Sequence, residues 1–123
     1  MSMRKWLMMA MAAAVLTGGS PTAEAGPDGV WLRPSTGGKI RSFACGGGLG
    51  LKVVASKTPA FVGETIMCGA RQVGTNAYEG QLRHLEQGGV YLGKVEILGR
   101  VMRLSGCIMN GLVCRTEDWR KVD

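Results

Sequence analysis

From residue 29 onward, apolar and polar residues alternate with a period of two, in short runs separated by glycine, proline and polar clusters; no stretch holds the 3.6 period of a capped helix. The alternation predicts strands over residues 29–33, 39–45, 49–55, 63–71, 78–85, 90–98, 100–108 and 112–122, with 72–76 a polar loop. Residues 46–48, all glycine, are expected to turn the chain, and the Pro59 segment to form a loop. About eight strands at such spacing fit a sandwich or a barrel. Tight connections such as 86–89 and Gly99 leave no long return crossing, so the expected fold is all-β: a small antiparallel up-and-down barrel. Closure also removes the exposed sheet edges that invite aggregation.

The sharpest local signal is Asn110-Gly111, the preferred pair for a two-residue type I′ hairpin turn. In that register Ile108 faces Val113 and Cys107 faces Cys114. Paired residues have Cα atoms ~4.5 to 5.5 Å apart, within reach of a disulfide. Four cysteines allow three pairings; once the hairpin sets Cys107–Cys114, the other must be Cys45–Cys68. Loop-closure entropy gives roughly 2.5 kcal/mol for the short loop and roughly 3.4 for the long one.

Residues 1–25 read as a secretory signal: Arg4 and Lys5, an apolar run from Trp6 to Thr17, and a small-x-small site at Ala23-Glu24-Ala25. The run is shorter than the ~20 residues a membrane span needs. Residues 26–123 are then a single barrel domain, monomeric and periplasmic or secreted, where disulfides persist. Removing Arg4, Lys5 and Glu24 takes the formal charge from +6 to +5. The basic residues are spread along the strands without interleaved aromatics, which argues against nucleic acid and leaves anionic envelope components as charge-complementary partners.

Catalytic and metal chemistry find little support. His84 and Glu86 share a strand face as a possible base and orienter, but no nucleophile stands at a defined spacing. There is no Cys-x-x-Cys and His84 is the sole histidine, so no metal site and no cofactor is expected.

The spaced set Tyr78-Glu79-Gly80, Glu86-x-Gly88-Gly89-x-Tyr91-x-Gly93, Leu104-x-Gly106-Cys107 and Cys114-Arg115-x-x-x-Trp119 resembles a family of small exported bacterial proteins, domain of unknown function 2147. The likeness covers nearly all of residues 26–123 and is strongest over 78–119. It implies a lipocalin-like barrel and carries no activity with it. The chain departs from the family pattern at Tyr78-Glu79, where a Trp-Gly pair is usual, at Gly88-Gly89, and at Lys57-Thr58-Pro59, where relatives are acidic. Gly29-Val30-Trp31 is similar to the Gly-x-Trp that opens lipocalin-type barrels. The likeness implies that the Trp31 indole closes one end beneath Arg120 or Lys121, through a cation–π contact.

Two functions fit such a barrel. One is a non-catalytic binding barrel for a small apolar molecule, lined by Trp31, Phe43, Met67, Tyr91, Gly93 and Met102. Gly93 shares a strand face with Tyr91, Val95 and Ile97 and is expected to leave room for the ligand, as Gly80 and Gly106 are on neighbouring strands. The alternative is an envelope interaction module with a filled core and a basic surface that meets anionic partners. Interior volume separates the two.

Overall fold

The computed structural model describes residues 28–123; the expected signal segment, 1–25, lies outside them. Eight strands follow one another in chain order: β1 (Gly29–Leu32), β2 (Lys39–Cys45), β3 (Gly48–Ala55), β4 (Thr65–Gly74), β5 (Ala77–Arg83), β6 (Val90–Leu98), β7 (Val101–Ile108) and β8 (Val113–Lys121). Each pairs antiparallel with the next, and β1 pairs with β8, so the sheet closes into an up-and-down barrel. A single 3-10 turn, Pro59–Phe61, interrupts the β3–β4 connection. The expected strands are all present. β4 starts later than its glycine suggested and continues to Gly74, through residues whose polarity reads as loop. They are nonetheless paired, Gln72 with Tyr78 and Gly74 with Ala77, because this end of the hairpin extends into solvent, where polar side chains cost nothing.

Both disulfides form as expected, Cys45–Cys68 with Cα atoms 5.2 Å apart and Cys107–Cys114 at 4.1 Å. The β7–β8 register is the expected one, with Ile108 opposite Val113 and Cys107 opposite Cys114. Its turn differs: Met109, Asn110 and Gly111 all have positive φ (55°, 57° and 88°) in a four-residue loop, rather than Asn110 and Gly111 alone. Two disulfides indicate an oxidising, extracytoplasmic environment. Among the described residues no helix is long and apolar enough to cross a membrane.

Irregularity in the β3–β4 ladder shapes the core. Leu51 pairs with Met67 and Leu49 with Ala70, so β4 carries one residue more than β3 between these pairs. The extra residue is accommodated by Gly69 at φ +75°, a left-handed conformation glycine adopts without steric cost. A second shift lies between Leu51 and Lys52. As a result Ile66 and Met67, adjacent in sequence, are both buried instead of alternating. Met67 joins Trp31, Leu49, Leu51, Val95 and Met102, all buried, to fill the end of the barrel that holds the β2–β3, β4–β5 and β6–β7 turns.

The first strand anchors this filled end. Trp31 is buried, and its Nε1 donates to Ser42 Oγ at 2.9 Å while Ser42 Oγ donates to the Gly29 carbonyl at 3.3 Å, which satisfies a hydroxyl on an otherwise apolar face. Trp31 pairs with Lys121, and a Cβ on Gly29 would lie 2.9 Å from Lys121 Cε and 3.4 Å from Trp31 Nε1. Of the two basic residues expected over the indole, Lys121 is the one in register with Trp31, and no cation–π contact joins them among the described residues. Arg120, one residue out of phase, is exposed.

Candidate functional site

The opposite end is hollow. The β1–β2, β3–β4, β5–β6 and β7–β8 loops surround a mouth that leads into a cavity of about 400 Å³. Its floor consists of the buried side chains of Ile40, Val53, Ile66, Leu82, Leu104 and Trp119, one or more from most of the strands. Phe61, Leu85 and Tyr91 add apolar wall nearer the mouth. Such a space exceeds the ~300 Å³ at which small-molecule sites begin, and its lining is of the same mostly apolar character.

A row of three glycines decides where that space lies. Gly80, Gly93 and Gly106 are directly paired across β5, β6 and β7 on the inward face. A Cβ on Gly93 would meet Met67 Cε at 2.5 Å and Leu82 Cβ at 2.9 Å, and one on Gly80 would meet Ala70 Cα at 2.8 Å. The room those two glycines leave is occupied by protein. A Cβ on Gly106 meets nothing nearer than Leu82 Cδ2 at 3.7 Å, and Gly106 itself lines the cavity. The expectation that Gly93 makes room for a ligand is thus corrected: the bulged strand β4 sends the Met67 methyl into that position.

Of the residues expected to line a ligand site, Tyr91 borders this cavity. Trp31, Met67 and Met102 are buried in the filled end, and Gly93 packs beneath Met67. Phe43 shares its strand phase with Lys39 and Arg41 rather than with the buried Ile40 and Ser42, and its ring lies against Gly50.

Polar groups gather at the mouth. Arg33 and Glu117 form a two-point pair, Nε to Oε1 at 2.8 Å and Nη2 to Oε2 at 2.9 Å, the geometry in which a guanidinium best matches a carboxylate. Trp119 Nε1 also donates to Glu117 Oε1, at 3.0 Å, so the cavity floor is tied to this pair. The hydrogen bond from Arg33, opposed by burial and aided by that from Trp119, holds the Glu117 carboxyl at about 2. The same bond raises Arg33 above its ordinary value against the opposing effect of burial. Glu86 approaches Arg33 Nη1 at 3.4 Å from the β5–β6 loop.

His84 Nδ1 accepts from the Gln87 backbone N–H at 3.0 Å, which assigns the ring proton to Nε2. The 3.6 Å approach of Nδ1 to Glu86 Oε1 is then a contact of two acceptors and becomes an ion pair only when the ring gains a second proton. Arg115 lies in register with Gly106, lines the cavity, and makes no side-chain hydrogen bond or ion pair among the described residues. Nor do three His, Cys, Asp or Glu side chains gather among those residues where an ion could be held.

Arg33, Arg115 and Glu117 escape a reading of the sequence strand by strand, yet a signal exists. Arg115 and Glu117 share the every-second phase of Val113 and Trp119 along β8, and Arg33 lies two residues beyond Trp31. Charges on the inward phase of the first and last strands become neighbours once the barrel closes. No curated protein and no solved structure matches the chain. Over residues 29–121, which span all eight strands, the chain matches the model of a family described as uncharacterized proteins conserved in bacteria, DUF2147, and it belongs to that family.

Proposed function

We propose that this protein is a non-catalytic binding barrel that holds a small, largely apolar molecule in the extracytoplasmic space, periplasmic or secreted. The observation that carries this reading is the half-hollow interior: one end packed by Trp31, Met67 and Met102, the other an open cavity of about 400 Å³ with an apolar floor. A barrel built only as an interaction surface gains nothing from such a space, since each unfilled methyl-sized void costs stability. The ligand's apolar body would lie over Leu104, Gly106 and Tyr91, with a polar or anionic end at Arg115, the cation of the lining that has no partner among the described residues.

Titration of the disulfide-bonded barrel with an apolar fluorescent probe tests the reading. Saturable binding at one probe per chain is expected, and it should be blocked in Gly106→Leu, whose side chain projects into the cavity from a position with ordinary backbone geometry. Equal binding by the folded Gly106→Leu variant would move the site out of the barrel.

A further inference from the structure

We propose that the mouth of the barrel docks on the surface of an anionic phospholipid bilayer, with the β7–β8 hairpin tip as its main inserting element. This goes beyond the ligand reading and stands whether or not the cavity takes a molecule.

The tip is unusually apolar for a turn. Ile108, Met109, Leu112 and Val113 are all exposed, Leu112 at 82%, and they flank a loop whose other residues are Asn110 and Gly111. Ile108 and Val113, next to the Cys107–Cys114 disulfide, border the cavity mouth, while Met109 and Leu112 stand beyond them on the four-residue turn. Exposed apolar groups recur on the neighbouring loops at the same end, Val62 between β3 and β4 and Val90 at the start of β6. Among the described residues the other end shows fewer and scattered ones, Val73, Leu98 and Val122, each on a different connection or terminus. Apolar loop tips gathered around one opening mark an interaction surface.

Charge identifies the partner. The four loops at the mouth and the two strand residues on either side of each carry Arg33, Lys39, Lys57 and Arg83 against Glu64 and Glu86, a net +2. Lys94 Nζ also reaches the tip, within 3.6 Å of where a Cβ on Gly111 would sit. Apolar tips with long basic side chains set behind them match the depth profile of a bilayer, whose acyl region takes the tips while phosphates take the ammonium and guanidinium groups. A second copy docked mouth to mouth would instead bring two net-positive rims together. Docking in this orientation also opens the cavity toward the lipid phase, the natural source of an apolar molecule.

Co-sedimentation of residues 28–123, which contain the whole closed barrel, with vesicles of phosphatidylcholine alone and of phosphatidylcholine with phosphatidylglycerol tests the proposal. Binding is expected to the anionic vesicles only and should weaken with added salt. Met109→Glu with Leu112→Glu should reduce it about tenfold or more, from the two lost apolar insertions. Val62→Glu should reduce it less, and Val73→Glu, at the other end, should leave it unchanged. All four positions are exposed, so the variants should keep the circular dichroism of the parent. Absence of binding to anionic vesicles, equal binding to neutral ones, or full binding by the tip variant would each overturn the proposal. So would a dimer in sedimentation equilibrium that the tip variant abolishes, which would assign the surface to a second copy of this chain.

Discussion

Glu117→Gln isolates the ion pair that ties the cavity floor to its rim. In the wild type the carboxyl accepts hydrogen bonds from Arg33, Trp119 and Ser35, and its pKa lies near 2 instead of 4.5. A folded-state value below the unfolded one means that the stabilisation is complete above pH ~4.5 and is lost as the pH falls through about 2. The full shift corresponds to about 3 kcal/mol by linkage, and screening by solvent at the mouth reduces the expected contribution to about 1 to 2 kcal/mol. Gln keeps one acceptor but has no charge to titrate. At pH 7 the variant should therefore unfold about 1 to 2 kcal/mol more easily in urea, equivalent to a Tm lower by roughly 4 to 16 °C for a domain of this size. Urea unfolding of both proteins between pH 7 and pH 2 reads the effect. The gap should hold to about pH 5 and close as the wild-type carboxyl protonates. A gap that is constant down to pH 2 would mean that Glu117 gains nothing from Arg33, and the geometry of the pair would then be without energetic consequence.

Further outcomes follow from the two halves of the interior. Gly93→Leu should destabilise the barrel, because the added side chain meets the Met67 methyl and Leu82; thermal unfolding checks it, and a cooperative transition at the parent temperature would mean that the Gly93 position is vacant. Trp31→Ala should cost ~3 to 5 kcal/mol, the range for buried aromatic truncation, and leave the Ser42 hydroxyl with one partner fewer; a urea midpoint equal to the parent's would contradict that. Cys107→Ser with Cys114→Ser should lower stability by roughly 2.5 kcal/mol. Peptide mapping of the unreduced parent should recover these two cysteines joined to each other; a fragment joining Cys107 to Cys45 would contradict the pairing.

Much of the fold is legible in the residues because alternation and turn chemistry agree. The register of β7 and β8 follows from Asn110-Gly111 and determines both disulfides, even though the turn proves to be a four-residue loop. Phe43 illustrates the same rule in reverse: its phase along β2 places it outside with Arg41, and selecting it for aromaticity overrides the pattern. What the residues do not reveal is how the interior divides. Gly80, Gly93 and Gly106 look equivalent along their strands. Their difference arises from β4, where the extra residue near Gly69 lets Ile66 and Met67 both turn inward, so Met67 covers Gly93 while Gly106 stays open. Side chains arriving from across a barrel are non-local, and a period-two reading of one strand carries no information about them. The Arg33–Glu117 pair was hidden for a related reason, since its partners are 84 residues apart and meet only through the β1–β8 seam.

A barrel filled at one end and receptive at the other should treat its two indole N–H groups differently, which an isotope-labelled barrel reads out during titration with an apolar probe. Trp119 lies on the cavity floor and Trp31 in the filled end. The Trp119 Nε1–H resonance should shift saturably, together with the methyls of Ile40, Leu82 and Leu104, while that of Trp31 stays in place. Matched shifts at both indoles, or none at Trp119 while probe binds, would contradict it.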